Sequence, residues 1–408
     1  MNTIPRHNRE AAVERLLTRG VVDVIARDSL RRKLLGDRPI RVKYGVDPSR
    51  PDIHLGHYVC FRKLREFQEL GHHVVVIVGD WTARIGDPSG RSSQRTMLSE
   101  EEVRANAQTY LDQFFKVVDV SRTEITWQSR WFDRFTLADV IHLTAKYTVA
   151  KMLDRDDFAR RYAEGSPIAI TELLYPLLQA YDSVAIQADV EIGGTDQTFN
   201  LLVGRDIQRE YGQEPQDILT VPLLVGTDGT LKMSKSYGNY IGVTEPPEEM
   251  FGKLMSIPDH LIGDYLRLLT DIPEERIDAW LEGMERGDIN PRDVKEQLAL
   301  TVVRDLHSPE AAERAREHFD RLFRRHELPE TLPDVLVDPE QRLVTLLVQA
   351  GMAGSNNEAR RLIQQGGVRL DGQRVDDPEQ IVHLTRPVVL QVGKRRFARL
   401  VPREAATT

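Results

Sequence analysis

The run Val74-Val75-Val76-Ile77-Val78, closed by Gly71 before it and Gly79 after it, limits the fold more than any other stretch. An unbroken apolar run offers no face to water, so its strand is buried on both sides, the habit of a parallel sheet. Upstream, Ile40 to Val46 alternates, with Val42, Tyr44 and Val46 on one face, and predicts a half-buried strand. Between the two, Cys60, Leu64 and Phe67 share one helical stripe, and Gly71 sits just past its end. Strand, helix, strand is a βαβ unit, which crosses over right-handed. Sheets of this kind bind ligands at the carboxyl ends of their strands. Two segments lie there: Asp47 to His57, DPSRPDIHLGH, and Gly79 to Arg95, GDWTARIGDPSGRSSQR.

A chain of 408 residues has room for several domains of roughly 150 residues each. The net charge of −8 argues against a basic field over the whole protein, so charge is read by region. One cysteine, Cys60, leaves no disulfide framework and no Cys-based zinc site. The N-terminal stretch has no apolar signal-peptide core, and no window approaches about eighteen uninterrupted apolar residues. The expectation is a cytoplasmic protein with no membrane partner and no resident metal.

The chemistry-bearing residues sit at junctions. His54 and His57 bracket Leu55-Gly56 where a helix begins. Free backbone N–H groups and the positive dipole end attract phosphate there, and Gly56 lets a ligand come close. A turn with two solvated histidines explains H-x-G-H equally well. Arg91 and Arg95, after the turn Asp87-Pro88-Ser89-Gly90, suit a lid that meets phosphate through guanidinium groups, or a solvated loop. Tyr175, Gln179 and Asp182 fall on one helical face at i, i+4 and i+7. With Ala180, Val184 and Ala185 keeping the context apolar, they read as a polar-lined pocket rather than a wet surface. Pro176 has no explanation in the sequence. Gly193-Gly194-Thr195-Asp196-Gln197 permits close approach, and Asp196 suits a ribose hydroxyl or a helix cap. Lys232-Met233-Ser234-Lys235-Ser236 is either a cationic clasp for polyphosphate or a solvated loop.

In chain order, helices are expected from Ala11 to Leu35. A capping box at Ser99-x-x-Glu102 opens a helix through about Val118. A strand is expected at Ile125–Trp127, helices from Thr136 to Tyr162, and strands at Ala185–Glu191 and Leu219–Val225. Helices with starts at Asn290-Pro291 and Ser308-Pro309 run to about Arg325. The resulting fold class is α/β: a Rossmann-like parallel sheet over residues 1–226, with a helical insertion at about 118–184. The Lys232–Ser236 loop spans 227–243, a helical domain 244–327, a Pro-rich linker 328–340, and a small α+β unit 341–402. The last carries a capping box at Ser355-x-x-Glu358 and a hairpin signal at Asp371-Gly372. From Gln341 onward there are 11 Lys/Arg against 6 Asp/Glu, which points to a polyanion partner.

Taken together, His54-Leu55-Gly56-His57 and Lys232-Met233-Ser234-Lys235-Ser236 resemble the HIGH and KMSKS signatures of class I aminoacyl-tRNA synthetases. Gly86 to Gly90, the Tyr175/Gln179/Asp182 face and Gly193 to Gln197 resemble bacterial tyrosyl-tRNA synthetases. Ser355, Glu358 to Ile363 and Gly366-Gly367-Val368 resemble an S4-type RNA-binding domain. The resemblance covers roughly Arg41 to Leu400. It implies tyrosine activation by ATP with Mg2+, transfer to tRNA(Tyr), and a homodimer. Asp87, Tyr175 and Gln179 would hold the tyrosine ammonium, Gln197 would lie by its carboxylate and ring, and Asp182 would accept from the phenol. His54, His57 and Ser49, with Lys232, Lys235, Arg91 and Arg95, would act at the phosphates. Asp47, Gly56, Gly194, Asp196 and Lys235 would hold ATP, and Arg360, Arg361 and Arg369 would meet RNA. Lys43 departs from the pattern, standing where many relatives carry a second reader of the phenol. Tryptophanyl-tRNA synthetases share the fold and signatures. A small-molecule ligase and a non-catalytic RNA-binding scaffold are the other readings.

Overall fold

The structure is a computed structural model that describes residues 6–48, 53–88, 99–323, 332–393 and 396–403. Ser49, Arg91 and Arg95 lie outside the described residues. The chain divides into two compact units, Met1–Arg316 and Glu317–Thr408.

The first unit is built on six strands: β1 Asp23–Ile25, β2 Arg41–Val46, β3 His73–Val78, β4 Thr123–Trp127, β5 Val190–Gly194 and β6 Asp217–Val221. Their order is β1-β6-β5-β2-β3-β4. All neighbours run parallel except β1, which pairs antiparallel with β6. From β2 the chain winds outward through β3 and β4, then returns to lay β5 on the other side of β2. The winding therefore reverses between β2 and β5, and a crevice opens at their carboxyl ends. Val74 to Val78 are all buried, as an uninterrupted apolar run requires. The helix Leu55–Glu69 fills the β2–β3 crossover and buries Cys60, Leu64 and Phe67.

Several expectations shift. β2 is buried on both faces over most of its length, because Lys43 is buried as fully as Val42. The helix carrying Tyr175 runs through Ile186, ends on Gln187 in the left-handed region (φ 52), and β5 begins only at Val190. Of the strand expected at Ala185–Glu191, Ala185 and Ile186 thus end the helix and only Val190 and Glu191 are strand. β6 likewise starts at Asp217 and ends at Val221. The 118–184 insertion as drawn contains β4, a sheet strand paired with β3; the inserted helices proper run Ser129–Phe132, Leu137–Thr144, Val149–Met152 and Asp156–Ala163. Pro176 lies inside the Ile170–Ile186 helix, which therefore lacks the hydrogen bond that the Glu172 carbonyl would otherwise accept. Helices beginning at Pro291 and Pro309 follow the expected starts.

The second unit has a five-stranded sheet in the order β10-β9-β12-β13-β7 and a two-stranded one, β11-β8. These are β7 Asp334–Val337, β8 Glu340–Arg342, β9 Val368–Leu370, β10 Gln373–Arg374, β11 Ile381–His383, β12 Val388–Val392 and β13 Arg396–Pro402. β7 pairs parallel with β13; the supposed linker therefore supplies a strand. Asp371 (φ 44) and Gly372 (φ 81) make the expected tight hairpin turn between β9 and β10. Leu343, Leu346, Leu347, Ile363, Leu390 and Leu400 form the core.

Candidate active site

At the β2/β5 reversal lies a cavity of about 390 Å3. Asp47, His54, Gly56, His57, Asp87, Tyr175, Gln179, Asp182, Gly194, Asp196, Gln197 and Lys232 all line it. Twelve expected residues thus meet from five separate stretches of chain.

His54 caps the Leu55–Glu69 helix. Its Nδ1 accepts from the Gly56 N–H at 3.2 Å, and His57 Nδ1 accepts from the His54 N–H at 3.3 Å. The rings lie 4.1 Å apart. Burial pushes His54 down to about 2 and His57 down to about 4, so both imidazoles are neutral at pH 7. With Nδ1 turned to the backbone, the Nε2–H of His54 is left as a donor. A Cβ on Gly56 would sit 2.9 Å from the His54 ring, so only glycine keeps this cap.

Another part of the cavity wall is built around a hydrogen-bonded chain of side chains. Tyr175 donates to Asp47 Oδ2 at 2.7 Å, and Thr82 Oγ1 donates to Asp47 Oδ1 at 2.6 Å. Gln128 Oε1 accepts from Thr82 N at 3.0 Å and lies 3.0 Å from Thr82 Oγ1, while its Nε2 donates to Asp182 Oδ2 at 2.7 Å. Trp131 Nε1 donates to Asp182 Oδ1 at 3.2 Å. A Cβ on Gly79 would overlap both Asp47 and Thr82, which is why the strand end is glycine. Burial raises the Asp182 carboxyl to about 8, against the opposing pull of Lys43 and the two donors. Asp87 accepts from Gln197 Nε2 at 2.7 Å and meets Arg155 at 3.5 Å.

Asp196 caps no helix; it faces Lys232 Nζ at 3.4 Å. The loop bearing Lys232 is held at both ends. Val225 and Lys232 form a β-bridge, and His54 and Gly242 form another. Asn239 accepts from Ser234 N at 2.8 Å and donates to Asp228 at 2.7 Å. Met233 is buried against the His54 motif near Gly56. Lys235 is exposed in the turn Lys235–Tyr237 and is not on the cavity wall. In the second unit, Arg360 lies 3.5 Å from Glu379, and Arg361 and Arg369 are exposed.

A model of class I tRNA synthetases (W and Y) matches residues 35–324, and an S4 domain model matches residues 341–385. A tyrosine–tRNA ligase of Thermotoga maritima is 59% identical over 95% of this chain and 96% of its own length. The chain belongs to the tyrosine branch of the class I tRNA synthetases. A tyrosine–tRNA ligase of Aquifex aeolicus is 51% identical over 95% of this chain and 98% of its own. Among solved structures, a tyrosyl-tRNA synthetase from Archaeoglobus fulgidus complexed with L-tyrosine has a TM-score of 0.60 at 25% identity, covering 75% of this chain and 99% of that one. A C-terminally truncated mitochondrial tyrosyl-tRNA synthetase of Aspergillus nidulans, at 24% identity and TM-score 0.64, covers 76% of this chain and 94% of its own, and shares the fold.

For a class I synthetase site, reading the sequence missed Gln128, Thr82, Glu191 and Asn239. Gln128 and Thr82 follow β4 and β3, so the strand-end rule alone would have found them. Asn239 carries no local signal.

Proposed function

We propose that the protein is a tyrosine–tRNA ligase: the tyrosine carboxylate attacks the ATP α-phosphorus, pyrophosphate leaves, and the tyrosyl adenylate esterifies the ribose of the 3′-terminal adenosine of tRNA(Tyr). The observation that carries the choice of amino acid is Asp182, buried on the cavity wall and oriented by Gln128 and Trp131. A phenol hydroxyl donates to that carboxyl; a phenylalanine ring shuts out water and offers no donor in its place, and tyrosine enzymes are the standard example of this rejection. Tryptophan offers its N–H from a larger ring and a different direction. Asp87, Gln179 and Tyr175 form the ammonium end, with Gln197 beside the carboxylate.

His54 Nε2–H and Lys232 meet the leaving pyrophosphate, where negative charge builds up. Lys235, Ser49, Arg91 and Arg95 join as the loops close. His57 steadies His54, and Gly194, Asp196, Asp47 and Gly56 frame the nucleotide. No covalent enzyme intermediate is required, since positioning and phosphate electrostatics suffice. Mg2+ enters with ATP: the histidines and lysines at the phosphate end are not the oxygen donors it prefers, so phosphates and water hold it. Arg360, Arg361 and Arg369 on the S4 unit contact tRNA. The enzyme works as a cytoplasmic homodimer; exposed Leu137, Ile141, Val149, Tyr162 and Ile170 on and beside the inserted helices supply apolar surface for the contact.

The test is amino-acid-dependent ATP–pyrophosphate exchange with tyrosine, tryptophan and phenylalanine, followed by charging of tRNA(Tyr). Exchange with tyrosine alone is expected. Asp182→Ala is expected to cut the preference for tyrosine over phenylalanine on the order of tenfold to a hundredfold. An unchanged preference would move phenol recognition elsewhere.

A further inference from the structure

Beneath the amino-acid end of the cavity two opposite charges are fully buried. Lys43 on β2 and Glu191 on β5 are register partners across the central strand pair, 0% and 1% exposed. Lys43 Nζ lies 2.9 Å from Glu191 Oε1 and donates to the Gln179 carbonyl at 2.7 Å and to Ser183 Oγ at 2.8 Å. Those three partners match the three protons of an ammonium, so Lys43 has none left for a substrate. Glu191 in turn accepts from Gln179 Nε2 at 3.3 Å, from the Gln216 amide and from Ser183 Oγ at 3.4 Å. Gly204 leaves room for the cluster, since a Cβ there would come within 2.6 Å of Gln216 Nε2.

Stability does not account for this pair. Desolvating two charges offsets their attraction, and packed apolar side chains of the same volume serve a strand core as well or better. What an apolar couple could not do is hold Gln179 twice, by its carbonyl and by its side-chain nitrogen. With Nε2 turned onto Glu191, Oε1 is the amide atom left for the cavity, and an amide oxygen accepts from a cation.

We propose that Lys43 and Glu191 form a positioning pair that fixes the Gln179 amide with its oxygen toward the substrate ammonium, setting affinity for tyrosine through Gln179. This rests on Gln179 being part of the tyrosine pocket.

The experiment is a mutant cycle in pyrophosphate exchange, run in the full-length chain. The charge-neutral double variant Lys43→Met/Glu191→Gln is expected to raise the tyrosine KM about tenfold or more while ATP KM stays within about twofold. In a Gln179→Ala background the same two changes are expected to add no more than about twofold. An unchanged tyrosine KM, or an equal rise in both backgrounds, overturns the proposal and leaves the pocket reading in place. If Gln179→Ala alone leaves the tyrosine KM unchanged, the pocket reading falls and the proposal with it. Should the double variant not fold, Glu191→Asp keeps the charge opposite Lys43 but withdraws it from the Gln179 amide. Its tyrosine KM is then read by the same criteria.

Discussion

Asp182, His54 and His57 are all driven toward their neutral forms by the same cause. Burial raises the carboxyl and lowers both imidazoles. The free pocket therefore carries little charge of its own at these positions, and the ligands bring theirs. The linkage consequence has a definite sign. An unfolded His57 binds a proton below its ordinary value of 6.5, whereas the folded one waits until about 4. Stability supplied by the neutral ring is present above 6.5 and lost as pH falls toward 4, by about 3 kcal/mol. His57→Gln is expected to unfold in urea with a correspondingly smaller loss between pH 7 and pH 4. Parallel losses in parent and variant would show that the ring is not held neutral. Residues of this kind were legible because glycine and motif spacing flagged them. Lys43 was legible only as a departure from the pattern: its partner Glu191 is far away in sequence, and nothing local to either residue announces a buried ion pair.

Among the elements, strands with unbroken apolar runs were read correctly, and errors gathered where helix and strand signals overlap. The apolar stretch through Val184 and Ile186 fits either period, and the helix stops on Gln187 rather than on the glycine that would have marked it. β7 was hidden among prolines because it joins its sheet at one edge, next to β13 alone. The inserted helices were recognised as helices. Their role is less evident from sequence, since Leu143 and Met152 face the Leu177–Val184 core while Leu137, Ile141 and Val149 face outward. If that outward surface joins two copies, Ile141→Asp with Val149→Asp will sediment as a monomer where the parent sediments at twice its chain mass. Dimers in both would place the contact on another surface.

The whole molecule comprises two units with separate cores, each matched by its own family model. The residues proposed to act in activation all belong to the first. Deleting residues 324–408 is therefore expected to leave tyrosine-dependent exchange within about twofold and to weaken tRNA charging about tenfold or more, through lost cationic contacts. Equal charging by the shortened chain would remove the RNA-binding role from the second unit.

The two β-bridges that pin the Lys232 loop have a consequence for how such a chain can vary. One end is tied to Val225, and the other to the residue that caps the histidine-bearing helix. Whereas Met233 and Asn239 are themselves part of what holds the loop, an exposed side chain between these ties, such as Tyr237, can be exchanged without disturbing either anchor. An added or deleted residue cannot, because it shifts the register at Gly242 and drags His54 out of its cap. The loop is thus fixed in length even where its exposed side chains can vary, a ruler laid between the two signature motifs.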